Sequence, residues 1–170
     1  MTEPSLGKWV VCKAYDDRDL VALTYPVSLG YPRGRGSFRG NIGAFEALSK
    51  WLLHVGIKCV AGPVLSGAQM AYVLSLMTGD AIRAVYLPKD GYRPIKHGGG
   101  LTISAPYVLV DDVIESGKTM WEAAQQGYNS VEVWPEALVA SSWPRHDNLG
   151  RLAQFSDRMW VVRPKEESDG

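Results

Sequence analysis

The chain has 170 residues, 46% of them hydrophobic, and 18 Lys plus Arg balance 18 Asp plus Glu. That length suits one domain, and the apolar content is enough for a packed core and too high for a disordered chain. A formal net charge of zero argues against broad electrostatic capture of nucleic acid or of an anionic membrane, so any anion must be held locally.

Two cysteines, Cys12 and Cys59, form neither a metal-ligand spacing nor a disulfide framework. Both sit in apolar, strand-like runs and read as small core residues. The first residues lack the long apolar run of a signal peptide, and no segment is apolar for long enough to span a bilayer. The expected setting is reducing and cytoplasmic.

Residues 8–14 and 20–27 read as short strands joined by the acidic turn Asp16-Asp17-Arg18-Asp19. A loop rich in glycine and arginine follows, with Arg33, Arg35 and Arg39 among Gly30, Gly34, Gly36 and Gly40. Arginines there can pair with phosphate or carboxylate, although a solvated connection is the simpler reading. Asn41 is placed to cap a helix running to His54. Ala44, Leu48, Trp51, Leu52 and Val55 recur at helical spacing and are assigned to the core; His54, without a partner in the sequence, is read as structural. Residues 57–61 are the next predicted strand. It runs into the glycine loop Gly62-Pro63-Val64-Leu65-Ser66-Gly67, and a helix over 68–77 follows, stopping at Gly79. Such strand–loop–helix units are common, and this one alone is weak evidence of a site.

Residues 81–87 give another strand. The segment from Pro88 to Gly100 is basic, glycine-rich and without periodicity, so it reads as a mobile loop, and Ile103 begins the return to the sheet. The run Tyr107-Val108-Leu109-Val110 reads as a strand buried on both faces. It ends in two adjacent carboxylates, Asp111 and Asp112. After Val113 and Ile114 comes the polar loop Glu115-Ser116-Gly117-Lys118-Thr119, then a helical pattern over 120–126 closed by Gly127. Acids therefore stand at the carboxyl end of a strand, where open α/β sheets bind ligands. The loop offers main-chain N–H groups, the Ser116 and Thr119 hydroxyls and a helix start, which favour phosphate. The acid pair can accept hydrogen bonds from sugar hydroxyls or hold a divalent cation. A phosphorylated sugar satisfies both halves.

Residues 131–140 suit a further strand, broken in its first part by Pro135. Beyond it, Trp143 is placed either to stack on a planar ring or to pack, and Arg145 to pair with a carboxylate. A short helix over 149–155, a strand over 158–162 and a polar tail over 165–170 complete the pattern.

The stretch 107–119 resembles the phosphoribosyl diphosphate-binding signature of the type I phosphoribosyltransferases: apolar strand, two acids, two apolar residues, an acid or polar residue, then Ser/Thr-Gly-x-Thr. This is far more specific than a lone glycine loop. The plain alternative is a strand-to-helix turn whose aspartates cap the helix. The resemblance covers about residues 57–145. It implies an α/β fold with a parallel sheet, a flexible loop and a small hood, with residues 1–40 as that hood or an N-terminal extension, within one domain spanning 1–170. The implied reaction transfers ribose 5-phosphate from phosphoribosyl diphosphate to a nucleobase, with magnesium as cofactor and a homodimer as the assembly.

Carried over residue by residue, the resemblance implies that Asp111 and Asp112 hold the ribose hydroxyls, directly or with magnesium. Glu115, Ser116, Gly117, Lys118 and Thr119 would bind the 5-phosphate. Ser66 and Gly67 would donate to diphosphate, with Lys89, Lys96 and His97 on a closing loop. Ser66 stands where family members often carry a lysine, so diphosphate loses a charge there. The Gly62-to-Gly67 loop resembles that of orotate phosphoribosyltransferases, with Gly-Pro, three residues, then Gly. Lys96-His97-Gly98 resembles their Lys-x-His-Gly with the intervening residue missing, and of their Arg-Lys pair only Lys89 has a counterpart. The run Glu115-Ser116-Gly117-Lys118-Thr119-Met120 is instead close to Asp-Thr-Gly-Lys-Thr-Met of the hypoxanthine-type enzymes. There the acid lies near the attacking ring nitrogen and can accept its proton, which gives Glu115 a catalytic role. An orotate-type acceptor is the first expectation, a purine-type enzyme the second, and a non-catalytic sensor of phosphoribosyl diphosphate the third.

Overall fold

The computed structural model describes residues 9–14, 42–63, 65–88, 103–112, 114, 116–140, 143–144 and 146–164. Among these the chain runs β1 (Trp9–Lys13), α1 (Ile42–His54), β2 (Cys59–Pro63), α2 (Ser66–Met77), β3 (Arg83–Leu87), β4 (Tyr107–Val110), α3 (Lys118–Val131), β5 (Ala137–Ala140), the 3₁₀ segments His146–Asn148 and Gly150–Arg158, and β6 (Met159–Pro164). One six-stranded sheet has the order β1-β6-β5-β4-β2-β3. Its pairs are parallel, except that β1 lies antiparallel on β6 with Val11 opposite Val162. The expected α/β architecture is present. Trp9–Lys13, within the stretch assigned to a hood, is an edge strand of the main sheet. The strand predicted over 20–27, the Gly/Arg loop, Asn41, residues 89–100 and the tail lie outside the described residues.

The apolar run of β4 is continuous because both its faces are covered. Tyr107 and Leu109 face one layer with Cys59, Ala61, Leu138 and Ala140, beneath α3 and the longer 3₁₀ segment. Val108 and Val110 face the other with Val60, Ala137 and Val139, against α1 and α2. In α1 the predicted positions Ala44, Leu48 and Leu52 are buried, and Phe45 joins them. Val55 is 46% exposed instead of core. The helix has already ended there: Gly56, at φ +78°, turns the chain, and the Gly56 and Ile57 N–H groups bond back to the Leu53 and Leu52 carbonyls. That glycine-centred C-cap satisfies carbonyls the helix leaves open. It also takes Ile57 into the cap, so β2 begins at Cys59.

Three further boundaries differ from expectation. The helix after the acid pair does not stop at Gly127 but runs to Val131. A Cβ at Gly127 would stand 2.8 Å from Cζ of Tyr107, so this glycine serves close packing of helix on sheet, not termination. Residues 131–136 are consequently helix end and turn, with Glu132 at φ 56°, and β5 is only Ala137–Ala140. The helix expected over 149–155 is a 3₁₀ segment over Gly150–Arg158, interrupted by non-helical angles at Phe155.

Candidate functional site

The strand order turns around between β2 and β4. From β2 the chain crosses through α2 to β3 on one side; from β4 it crosses through α3 to β5 on the other. The loops leaving the two strands lead to helices on opposite faces of the sheet, and open α/β sheets bind ligands in the crevice at such strand ends. Those loops are the two glycine turns.

Glycine lets them meet. A Cβ on Gly67 would lie 2.6 Å from the Val110 carbonyl oxygen, and one on Gly62 would run into the Gly67 carbonyl. A side chain at either position would push the β2–α2 loop away from the end of β4. With glycine at both, Ser66 reaches the acid pair. Its hydroxyl lies 3.0 Å from Asp111 Oδ1 and 3.1 Å from Asp112 Oδ1, donating one proton shared between them. The sequence reading assigned Ser66 to diphosphate; the structure directs its side chain to the carboxylates.

Asp111 is buried and also accepts the Asp112 N–H at 2.9 Å, while Asp112 is half-buried. Burial pushes the Asp111 carboxyl up to about 7; the Asp112 N–H opposes this, and the Asp112 carboxylate adds to it. A carboxyl held near neutrality ionises readily when positive charge arrives beside it.

The second loop has a helix start of the kind that suits an anion. Gly117 has φ +73°, a conformation that a Cβ would strain, and its carbonyl accepts the Trp121 N–H at 2.9 Å to begin α3. Ser116 is exposed, and its hydroxyl accepts the Lys118 N–H at 3.4 Å. Lys118 is exposed with Nζ 3.8 Å from Glu122, and Thr119 is half-buried in the first turn. N–H groups in the first turn of a helix have no intrahelical acceptor, and the helix dipole adds positive potential there. The first turn of α2, with Ser66 and Gly67, begins beside the same crevice.

Asp111, Asp112, Ser66 and Gly67 are thus brought together, with Ser116, Gly117, Lys118 and Thr119 at the start of the adjoining helix. Glu115, Lys89, Lys96, His97 and Arg145 lie outside the described residues. Trp143 is a packing residue: it is buried among Leu149, Leu152 and Phe155, and its Nε1 donates to the Trp160 carbonyl at 2.9 Å. Among the described residues no group of three or more His, Cys, Asp or Glu converges as a metal cage. Magnesium does not need one, since it is bound through one or two carboxylates plus substrate phosphates and waters. Asp111 and Asp112, whose oxygens converge on the Ser66 hydroxyl, are the carboxylates that could hold it.

A cavity of about 380 Å³ lies beside the 116–119 loop, and its walls add Trp121, Glu122, Gln125, Leu149 and Arg151 to Ser116, Gly117 and Lys118. The helical part was readable, because 118, 121, 122 and 125 share one helix face. Arg151 was not, since only folding brings it there.

No protein-family model matches the chain, and no curated protein matches it. Solved structures do. The adenine phosphoribosyltransferase of Saccharomyces cerevisiae is 20% identical, with a TM-score of 0.55 over 76% of this chain and 80% of that one. The APRTase of Giardia lamblia is 15% identical, with a TM-score of 0.52 over 69% of this chain and 75% of that one. The fold is therefore that of the type I phosphoribosyltransferases.

Proposed function

We propose that this protein transfers the ribose 5-phosphate group of phosphoribosyl diphosphate to a nucleobase nitrogen, releasing diphosphate. The observation that carries this reading is the Ser66 hydroxyl held between Asp111 and Asp112. It marks a converged carboxylate pair, one turn before a helix start suited to phosphate. The enzymes of similar fold support the same reading.

In this reading the first-turn N–H groups of α3, with the Ser116 and Thr119 hydroxyls, hold the 5-phosphate. Anchored there, the ribose presents its hydroxyls to Asp111 and Asp112, which accept their hydrogen bonds. As the anomeric bond to diphosphate lengthens, positive charge grows on the sugar, and the ionised carboxylates stabilise it. Ser66 keeps the pair converged before substrate enters. The main-chain N–H groups of Ser66 and Gly67, at the start of α2, are donors for diphosphate. Asp111 and Asp112 would also hold magnesium, which when bound supplies positive charge against the leaving diphosphate. Lys89, Lys96, His97 and Glu115 enter by resemblance alone.

For the acceptor we infer a purine. The run from Glu115 to Met120 supports it, as do the adenine enzymes of similar fold. An orotate acceptor is the second reading, favoured by the Gly62-Pro63 to Gly67 loop. Incubation with phosphoribosyl diphosphate, magnesium and, separately, adenine, hypoxanthine, guanine or orotate tests both. Nucleotide and diphosphate should form with a purine, and Glu115→Thr should abolish that transfer. Turnover with orotate alone would reverse the acceptor. Binding without turnover would leave a sensor, and no binding would end the transferase reading.

A homodimer and a cytoplasmic setting belong to the same proposal. The outer face of α2 supports the first: the helix has no charged residue, and Leu65, Tyr72 and Leu76 are exposed along it. Among the described residues no helix is long and apolar enough to cross a membrane.

A further inference from the structure

The chain beyond β5 carries Arg151 into the lining of the cavity beside residues 116–118. Gly150, at φ +56°, turns the backbone, and Arg151 follows in the 3₁₀ segment. That segment is seated firmly. Leu149 and Leu152, on either side of Arg151, are buried. A Cβ on Gly117 would lie 2.8 Å from Leu152 Cδ1 and 3.2 Å from the Leu149 carbonyl oxygen. Gly117 therefore rests on Leu149 and Leu152, two residues before Arg151 and one after it. Between loop and segment lies the cavity of about 380 Å³, with Ser116, Gly117 and Lys118 in one wall and Arg151 in another.

The cations of this cavity differ in their engagement. Lys118 has Glu122 at 3.8 Å. The Arg151 guanidinium has no hydrogen-bond or ion-pair partner among the described residues, whereas Arg158 is committed to the Pro135 carbonyl. A phosphate monoester near pH 7 brings close to two negative charges. The loop answers them with N–H groups, hydroxyls and one lysine already beside a carboxylate. An arginine can engage two phosphate oxygens at once with its planar fork.

We propose that Arg151 is a further phosphate-binding residue, whose guanidinium grips the 5-phosphate of a sugar phosphate seated on residues 116–119. This rests on the reading of that loop given above. The 5-phosphate is remote from the bonds that change, so Arg151 contributes to substrate and transition-state binding alike. Its loss raises KM for phosphoribosyl diphosphate and leaves kcat nearly unchanged.

The test is calorimetric titration with ribose 5-phosphate, which carries this phosphate and no diphosphate. The proteins are wild type, Arg151→Ala, Arg151→Lys and, as a control for net charge, Lys50→Ala on α1. Wild type should bind. Arg151→Ala should weaken binding by about tenfold or more, the order expected for a charge-assisted contact. Arg151→Lys should fall between them, and Lys50→Ala should match wild type. Arg151 is exposed, so the fold should survive; Arg151→Gln, which keeps most of the stem, is the second variant if alanine lowers Tm. Equal affinity in wild type and Arg151→Ala overturns the role of Arg151 while the loop reading stands. A fall in kcat at unchanged KM overturns it as well, because that pattern marks a packing role. If wild type itself fails to bind ribose 5-phosphate, the loop reading falls, and this inference with it.

Discussion

Asp111 sits in a conflict between burial and charge. Its folded pKa is raised to about 7 from 3.8, chiefly by desolvation, so the native state keeps a proton that the unfolded chain loses first. The stability this contributes is fully present below about pH 4 and is lost as pH rises through about 7. Asp111→Asn keeps the acceptor oxygen that Ser66 and the Asp112 N–H use and removes the titration. The ligand-free variant should be more stable than wild type at pH 8, by on the order of 2 kcal/mol, with the gap closing toward pH 4. Thermal unfolding across that range checks it; a gap that widens on acidification would show the opposite linkage. The same carboxyl must be ionised to stabilise a cationic sugar, so kcat/KM, which follows the ligand-free protein, should decline as pH falls below about 7. Asp112→Asn tests the partner: the fold should persist while phosphoribosyl transfer drops by at least two orders of magnitude. Wild-type turnover in that folded variant would reduce the pair to a helix cap.

In α3 the amphipathic pattern was readable and the length was not. Gly127 looks like a helix stop from the chain alone, yet it lies where α3 presses on the ring of Tyr107. That phenol is buried, donates to the Val133 carbonyl at 2.9 Å, and is held protonated because desolvation raises its pKa above the ordinary range. On an exposed helix, Gly→Ala would stabilise by about 1 kcal/mol. Here Gly127→Ala should instead destabilise by about 2 kcal/mol, since overpacking forces the helix off the sheet. Tyr107→Phe in the same chain should recover only part of the loss, because Cζ stays 2.8 Å from the new methyl group. Denaturant unfolding of both variants measures this, and a Gly127→Ala protein as stable as wild type would mean that α3 shifts freely. The glycine turn at Gly117 opens this helix, so the same packing holds Lys118 and Thr119 in place.

Across the molecule, the turnaround of strand order between β2 and β4 creates the site, and α2 joins that site to the surface. The helix begins at Ser66, which holds the acids, and its outer face shows Leu65, Tyr72, Leu76 and Met77, exposed by 64%, 61%, 54% and 40%. An uncharged apolar stripe of this kind suits an interaction surface, and a neutral face meets no like-charge repulsion against its own copy. Under the proposed homodimer, Tyr72→Asp with Leu76→Asp should give a folded monomer by sedimentation. An unchanged dimer would place the interface elsewhere, and a wild-type monomer would remove it.

By itself the sequence determined the parallel α/β class, the acid pair at a strand end, and the glycine loop opening a helix. Each is a local pattern: an apolar run that ends abruptly, two adjacent carboxylates, a glycine among small polar residues. Hydrophobic periodicity reports which face of an element is buried, but not what buries it. Tertiary structure alone decided that Ser66, 45 residues before Asp111, turns its hydroxyl to the carboxylates, and that Trp143 packs instead of awaiting a base. It decided that Gly127 continues a helix and that β1 closes the sheet antiparallel. It also raised the Asp111 pKa and brought Arg151 into a cavity beside residues 116–118. These features depend on strand order and on close approach between segments far apart in the chain, and neither is written in the spacing of neighbouring residues.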